Sequence, residues 1–159
     1  MRRLAAAMLV LSLTACGPTT PRTPVARPSN APISQSGFTL ACGAVPVTIG
    51  TMPPGSARSG TFRRLGSLTE RLKVKGQIWS MGDERLYVGV VCGVRSPERF
   101  ASLVIKAGLV MHQGKPALHW RTRGGMRHFM WLEHPGTAVY IAATRGITGQ
   151  IAKVAASVE

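Results

Sequence analysis

Histidine is the residue type whose number and spacing first suggest chemistry in this sequence, and its four positions are His112, His119, His128 and His134. A catalytic zinc site uses three protein ligands, commonly imidazoles or carboxylates, and leaves one position open. The histidines do not show the HExxH spacing, and the nearest carboxylates, Asp83 and Glu133, lie in predicted turns. The sequence therefore predicts no metal site, and we interpret the histidines as residues of a surface or a sheet edge.

Motifs for catalysis or for phosphate binding are also missing from the sequence. It contains no GxSxG motif for a serine nucleophile and no GxGxxG or GxxxxGK[ST] loop for phosphate. Only six acidic residues occur in 159 positions, which leaves little material for paired-carboxylate catalysis or an all-oxygen metal site. We therefore expect a protein that is not an enzyme and needs no cofactor.

The excess of positive charge is the strongest signal in the composition. Twenty Lys and Arg residues face six acidic residues, for a formal net charge of +14, and such a balance favours acidic partners. The densest group of cations consists of Arg58, Arg63, Arg64, Arg71, Lys73 and Lys75. A Lys or Arg near an anionic membrane gains about 1 kcal/mol, so this group predicts contact with an anionic surface. The alternative is a basic surface that serves only solubility.

Two hairpins are predicted within residues 109–131, with turns at Gly114-Lys115 and Gly124-Gly125. The register given by these turns places six apolar residues on one face: Leu109, Met111, Leu118, Trp120, Phe129 and Trp131. The opposite face then carries His119, Arg121, Arg123 and His128, with His112 on the neighbouring strand. In this register Arg121 stands across from His128, and directly opposed like charges are unfavourable. This face is therefore either an anion-binding strip, for phosphate, a lipid head group or an acidic polymer, or a solvated face.

Residues 72–78 and 86–94 alternate between apolar and polar side chains and predict two further strands. A hairpin that turns at Met81-Gly82-Asp83-Glu84 needs an odd number of loop residues to place both apolar rows on one face. Residues 97–107 fit both a helix and a strand. The Ser96-Pro97 pair favours a short helical turn, followed by a strand from about residue 103.

The end of the chain predicts one more strand and a helix. Residues 137–144 form the strand, after a turn at Pro135-Gly136. Five apolar residues then recur at helical spacing: Ile147, Ile151, Val154, Ala155 and Val158. The predicted fold class is α+β, a small and mostly antiparallel sheet with the C-terminal amphipathic helix packed on one face.

The first sixteen residues have the organisation of an export signal. Arg2 and Arg3 precede an apolar run of about ten residues, which is too short for the roughly 20 residues that span a bilayer. The run ends in Leu13-Thr14-Ala15-Cys16. This segment resembles the lipobox of bacterial lipoprotein precursors. The resemblance implies that residues 1–15 are a signal peptide and that Cys16 receives a diacylglyceryl group and becomes the mature N-terminus; an ordinary secretory peptide is the alternative.

A lipidated N-terminus implies a membrane anchor on the outer face of the cell membrane, with the outer membrane as the alternative in a host with two membranes. Gly17, rather than Asp, follows the modified cysteine, so the signal associated with inner-membrane retention is absent. Residues 16–36 contain five prolines among small polar residues and predict a disordered tether. An ordered arm packed on the domain is the alternative. Residues 37–159 then form a single globular domain.

Cys42 and Cys92 remain as an even pair after lipidation of the first cysteine. Export places them in an oxidising compartment, where such a pair predicts one disulfide bond. Two buried free thiols are the alternative.

Together these features predict a non-enzymatic envelope lipoprotein whose basic domain contacts anionic lipid, an envelope polymer or an acidic protein. Nucleic acid is not an expected partner, because an exported and tethered protein rarely meets it. The alternative function is a carrier of lipid or of a small apolar ligand, with a pocket between the sheet and the helix. A cavity lined by Trp120, Trp131 and Leu109 would favour the carrier.

Overall fold

The computed structural model describes residues 36–159. The predicted signal peptide, Cys16 and all but the last residue of the predicted tether lie outside these residues. The strands are β1 (Ser36–Ala41), β2 (Pro46–Thr51), β3 (Ala57–Phe62), β4 (Lys73–Met81), β5 (Glu84–Cys92), β6 (Gly108–His112), β7 (Lys115–Arg121), β8 (Arg127–His134) and β9 (Thr137–Ala143). The helices are α1 (Pro97–Ala101) and α2 (Gln150–Ala156), with a 3-10 turn at Arg145–Ile147.

The strands form an antiparallel hairpin, β1–β2, and a seven-stranded antiparallel sheet with the order β3-β4-β5-β9-β8-β7-β6. The predicted mostly antiparallel sheet with a small C-terminal helix is therefore confirmed. The predicted last strand corresponds to β9, and the predicted C-terminal helix corresponds to α2. None of the helices within residues 36–159 has both the length and the apolar character needed to cross a membrane.

Each face of the large sheet carries its own apolar cluster. Face A contains Trp79, Leu86, Val88, Trp131 and Ile141, which cluster with Val47 and Ile49 of the small hairpin and with Val154 and Ala155 of α2. Face B contains Val74, Val91, Leu118, Met130 and Tyr140, which cluster with Phe100 of α1 and with the following Leu103 and Val104. The sheet therefore lies between two covering layers.

Strands β5 and β9 occupy the centre of the sheet and are apolar on both faces. All seven residues of β9 are buried, and in β5 both Val90 and Val91 are fully buried on opposite faces. The expected odd-length loop before β5 is wrong, because only Gly82 and Asp83 separate the paired residues Met81 and Glu84. An odd number of loop residues would be needed only if one face of the hairpin were buried and both apolar rows had to share it. Here both faces of the sheet are covered, so the two-residue loop is compatible with the core.

The segment after β5 begins with the predicted helical turn. Ser96 caps α1, since its hydroxyl accepts a hydrogen bond from the Arg99 N–H at 3.3 Å, and Pro97 occupies the first turn. The predicted strand from about residue 103 is wrong, since β6 begins only at Gly108. Residues 103 and 104 are instead buried against face B, and Lys106, with a φ of 64°, redirects the chain into β6.

The hairpin β7–β8 exists as predicted, but its register differs by one residue. The loop is longer than the expected two residues: the Thr122 N–H donates to the Met126 carbonyl at 3.1 Å, and Gly125 has a φ of 82°. As a result Trp120 pairs with His128 rather than with Phe129. A one-residue slip moves every side chain to the other face, so the predicted common apolar face is wrong. Phe129 and Trp131 lie on face A, whereas Leu109, Met111, Leu118 and Trp120 lie on face B.

The hairpin β6–β7 turns at Gln113-Gly114 instead of Gly114-Lys115, and Leu109 pairs with Leu118. This shift of two residues leaves each side chain on its expected face. Leu109 and Met111 are nevertheless 60% and 68% exposed, because β6 is the edge strand and no element covers it there.

Cys42 and Cys92 form a disulfide bond, which confirms the predicted pairing. The bond joins the loop between β1 and β2 to the end of the central strand β5. It therefore fastens the small hairpin covalently to the sheet that it covers.

We predict that replacing both cysteines with alanine lowers the free energy of unfolding by about 4 kcal/mol, because the bond closes a loop of fifty residues in the unfolded chain. Urea denaturation of the oxidised protein and of the double variant measures the difference. Reduction of the wild-type protein should lower its stability to the level of the double variant. Equal stability of the oxidised and reduced proteins contradicts the prediction.

Candidate functional site

The candidate site lies on the part of face A that the covering residues leave open. An open groove of about 770 Å³ is bordered by β6, β7 and β8 on one side and by α2 on the other. The register of the three strands places His112, His119, Arg121 and Arg127 on this face, and Lys106 stands at the start of β6. We call this feature the basic groove.

Glycine at position 108 makes room for one of the groove's imidazoles. Gly108 pairs with His119 across β6 and β7. A Cβ atom on Gly108 would lie only 2.3 Å from Nε2 of His119, so the imidazole lies directly over the glycine. His119 itself is exposed and therefore available to a ligand.

The charge in the basic groove is not balanced by carboxylates. Arg121 and Arg127 are directly opposed across β7 and β8, and both are exposed. Within residues 36–159 the two salt bridges are Arg99–Glu70 and Lys115–Glu133, and none of these residues lines the groove. Directly opposed like charges repel, so the two guanidinium groups favour solvent or an anion between them.

The wall opposite these cations is mostly apolar. On the sheet, the side chain of Phe129 is half-buried and lines the groove. Helix α2 contributes Ile151, Ala152 and Ala155. The groove thus combines four cationic or imidazole side chains on face A with an apolar wall. This arrangement suits a ligand that carries a negative charge beside an apolar portion.

His112 connects the groove to the core beneath it. Its ring packs edge-on against Phe129 at 5.2 Å and tilted against Trp131 at 4.8 Å. Burial lowers the pKa of His112, the nearby Lys115 charge lowers it further, and Glu133 opposes the change. Its Nε2 atom is buried and has no hydrogen-bond partner among the described residues. At neutral pH His112 therefore acts as a neutral, aromatic part of the groove wall.

His128 was expected beside His119 and Arg121; it lies along the groove on β8, but its side chain is on face B instead. Its ring stacks in parallel on Trp120 at 4.9 Å, and its Nδ1 shares a hydrogen bond with the Tyr140 hydroxyl at 2.8 Å. Burial lowers the pKa of His128 to about 4 and raises the pKa of Tyr140 above its ordinary value. His128 is therefore a neutral core residue of face B.

The other predicted cations do not join the basic groove. Arg123 is exposed in the loop between β7 and β8 and does not line the groove. Arg63, Lys73 and Lys75 line a second depression beside Phe62, together with Arg58, and the Lys75 amine donates to the Ala41 carbonyl at 2.6 Å. Arg64 and Arg71 are exposed outside that depression.

Sequence reasoning missed Arg127 and Lys106 as groove residues. A three-residue turn with glycine in the left-handed conformation, as an alternative to the two-residue turn, would have moved Arg127 opposite Arg121. No comparable signal in the sequence identifies Lys106, whose position depends on the turn before β6.

Comparison of the chain with known protein families, curated proteins and solved structures found no match. Within residues 36–159 no three His, Cys, Asp or Glu side chains come together in a way that could hold a metal ion. The geometry of the groove therefore carries the functional argument alone.

We predict that His128 makes the protein less stable as the pH falls from about 6.5 to about 4. The pKa of His128 is about 4 in the folded protein and 6.5 for an ordinary histidine, so the unfolded chain binds the extra proton across this window. His128→Gln cannot titrate and should show a smaller loss of melting temperature between these pH values. The remaining loss includes His112, whose pKa is also lowered.

Tyr140→Phe is the matched control for this measurement. It removes the hydroxyl partner but leaves His128 buried, and burial is the cause of the lowered pKa. We expect this variant to keep the wild-type pH dependence. A His128→Gln protein that loses stability as steeply as the wild type would refute the assignment.

Proposed function

We propose that this chain is a membrane-anchored lipoprotein of the bacterial cell envelope whose folded domain binds an anionic group in the basic groove and catalyses no reaction. The observation that carries the proposal is the opposed pair Arg121 and Arg127, together with His119 and Lys106, in a groove that no carboxylate lines. An arginine pair of this kind suits a phosphate or carboxylate, because each guanidinium donates two parallel hydrogen bonds.

Helix α2 supplies the opposite wall of the groove, and we include its packing on face A in the proposal. Val154 and Ala155 are buried in the same cluster as Val139 and Ile141, which supports this placement. Ile151 and the exposed Ala152 then border the groove.

The charge of the whole chain extends the argument beyond the groove. Removal of residues 1–15 would leave 18 Lys and Arg residues against six acidic residues, a formal net charge of +12 that attracts anionic surfaces at long range. The depression lined by Arg58, Arg63, Lys73 and Lys75 offers further cations. With an acyl anchor at Cys16 and a proline-rich tether, the domain would stay close to anionic lipid, an envelope polymer or an acidic protein. Nucleic acid remains an unexpected partner for a protein in this position.

A second candidate function is a carrier of lipid or of a small apolar ligand. Phe129 and Ile151 give the groove an apolar surface, and this observation favours the carrier. The lining expected for such a pocket is different from the one found. Trp131 is only 1% exposed within the core, and Leu109 is 60% exposed at the edge. Trp120 alone of the three lies along the groove, and its ring stacks on His128 on face B.

We predict that Cys16 carries the anchor. Cells that express the full chain and grow with radiolabelled palmitate should incorporate the label into the wild-type protein, because the diacylglyceryl group is attached to the cysteine thiol. Cys16→Ser has no thiol and should incorporate none. The serine variant should also leave the membrane fraction after a high-salt wash, whereas an equally labelled variant would refute the assignment.

We predict that inorganic phosphate raises the melting temperature of the unlipidated Cys16→Ser chain and that Arg127→Gln removes most of this increase. Without phosphate, Arg127→Gln should be as stable as the parent or more stable by about 0.2–1 kcal/mol, because it removes the repulsion with Arg121. Thermal unfolding over a range of phosphate concentrations at constant ionic strength measures both effects.

Arg123→Gln is the matched control, since it removes the same charge from an exposed loop residue that does not line the groove. It should keep the response to phosphate. Equal losses in the two variants would show a general charge effect and contradict the proposed site. Sedimentation with anionic and neutral vesicles then separates the sources: salt-sensitive binding to anionic vesicles indicates a lipid head group, and salt-insensitive binding to both favours the carrier.

A further inference from the structure

The edge strand β6 and the turn before it carry most of the exposed large apolar side chains of the described chain. Among residues 36–159, five large apolar side chains are exposed, and four of them lie here: Ile105 (75%), Leu109 (60%), Val110 (38%) and Met111 (68%). Edge strands of soluble proteins are usually protected by charge, proline, bulges or a covering element. Residues 109–111 contain no charge and no proline, and β6 pairs only with β7.

The backbone of β6 is also available for pairing. The two-residue loop joins His112 to Lys115, and in such a hairpin this flanking pair exchanges hydrogen bonds. Because hydrogen-bonded and non-bonded pairs alternate in an antiparallel ladder, the N–H and C=O groups of Leu109 and Met111 point away from β7. Within the described chain these groups have no backbone partner.

The two faces beside this edge differ in chemistry. A strand added next to β6 would place alternate side chains on the two faces. On face B they would meet Leu109 and Met111. On face A they would stand beside Gly108, Val110 and His112, where the exposed His119 imidazole lies over Gly108 and the basic groove begins. One face thus offers apolar contacts, and the other leads to the cations Lys106, Arg121 and Arg127 of the basic groove.

Two partners could pair with the free edge of β6, a second copy of this chain or a segment of another protein, and charge distinguishes between them. Antiparallel pairing of β6 with a second copy would bring Lys106 and the basic groove of one chain close to those of the other, and both chains carry a large excess of positive charge. The observed arrangement complements an acidic strand instead. We propose that β6 accepts an extended segment of a partner protein in which acidic and apolar residues alternate, with the acidic side chains toward the basic groove.

This mode of binding is β-strand addition, in which main-chain hydrogen bonds provide affinity and alternate side chains provide specificity. It extends the proposed function to a protein partner, and it depends on the edge of β6 rather than on phosphate binding between Arg121 and Arg127. Its failure and the failure of the phosphate experiment are therefore distinguishable.

The test uses a fluorescent synthetic peptide of about eight residues in which Glu and Val alternate, with the full chain in a neutral detergent. Fluorescence anisotropy measures binding. We expect the Glu–Val peptide to bind about tenfold more tightly than a Lys–Val peptide of the same length. We also expect a peptide of the same composition, with its Glu and Val residues in two blocks, to bind more weakly than the alternating peptide.

Met111→Pro removes one outward N–H donor without removing a bond to β7, a position at which an edge strand tolerates proline. It should weaken binding of the Glu–Val peptide by about tenfold. Val45→Pro is the control, because it places proline at an exposed apolar residue away from β6 and should leave binding unchanged. Should Met111→Pro fail to fold, a Glu–Val peptide that is N-methylated on one edge gives the same test against the wild-type chain.

Three results would overturn the proposal. The first is no binding of the Glu–Val peptide, or equal binding of the Lys–Val peptide. The second is binding that Met111→Pro and N-methylation leave unchanged. The third is a concentration-dependent dimer that Met111→Pro dissociates in sedimentation velocity, which would make a second copy the occupant of the edge.

Discussion

Strands β5 and β9 are apolar on both faces, and the arrangement of the remaining chain follows from the need to keep both faces from water. The β1–β2 hairpin contributes apolar residues that cover face A, and α1 and the residues after it cover face B. Burial of apolar area on each side supplies the main driving force for such a sandwich. The covering elements are short, however, and on face A the strand β1 contacts β4 and β5, far from β6.

The incomplete covering explains where the candidate sites lie. Toward β6 the layer over face A ends at α2, which leaves the basic groove between the helix and the outer strands. The last strand has no neighbour on its free side. Exposed cations and exposed apolar residues therefore meet at the same end of the sheet, where a ligand or a partner can satisfy both. The chain has only six acidic residues to neutralise those cations itself.

Much of the secondary structure could be predicted from the sequence, whereas the contents of the site could not. Glycine turns identified the β6–β7 and β7–β8 hairpins, and alternation and helical spacing identified β9 and α2. The even pair of cysteines that remains after Cys16 identified the disulfide bond. The predicted site failed at one point, the loop around Gly125, where an additional turn residue moved His128 into the core and brought Arg127 opposite Arg121. Two consecutive glycines are compatible with a loop of two residues and with a loop of three. The local turn preference therefore did not determine which side chains of β8 point toward face A. Lipidation at Cys16 and the tether remain predictions.

The disulfide bond also determines how a mechanical load would travel through the domain. The anchor proposed at Cys16 would pull on the chain from its N-terminal side, and the first described element on that side is β1. Immediately after β1, Cys42 is joined covalently to the end of β5, and the backbones of Thr48 and Glu159 bond to each other at 2.8 Å in both directions. Tension from the membrane would therefore reach the middle of the sheet through a covalent link instead of peeling strands away one at a time from the edge.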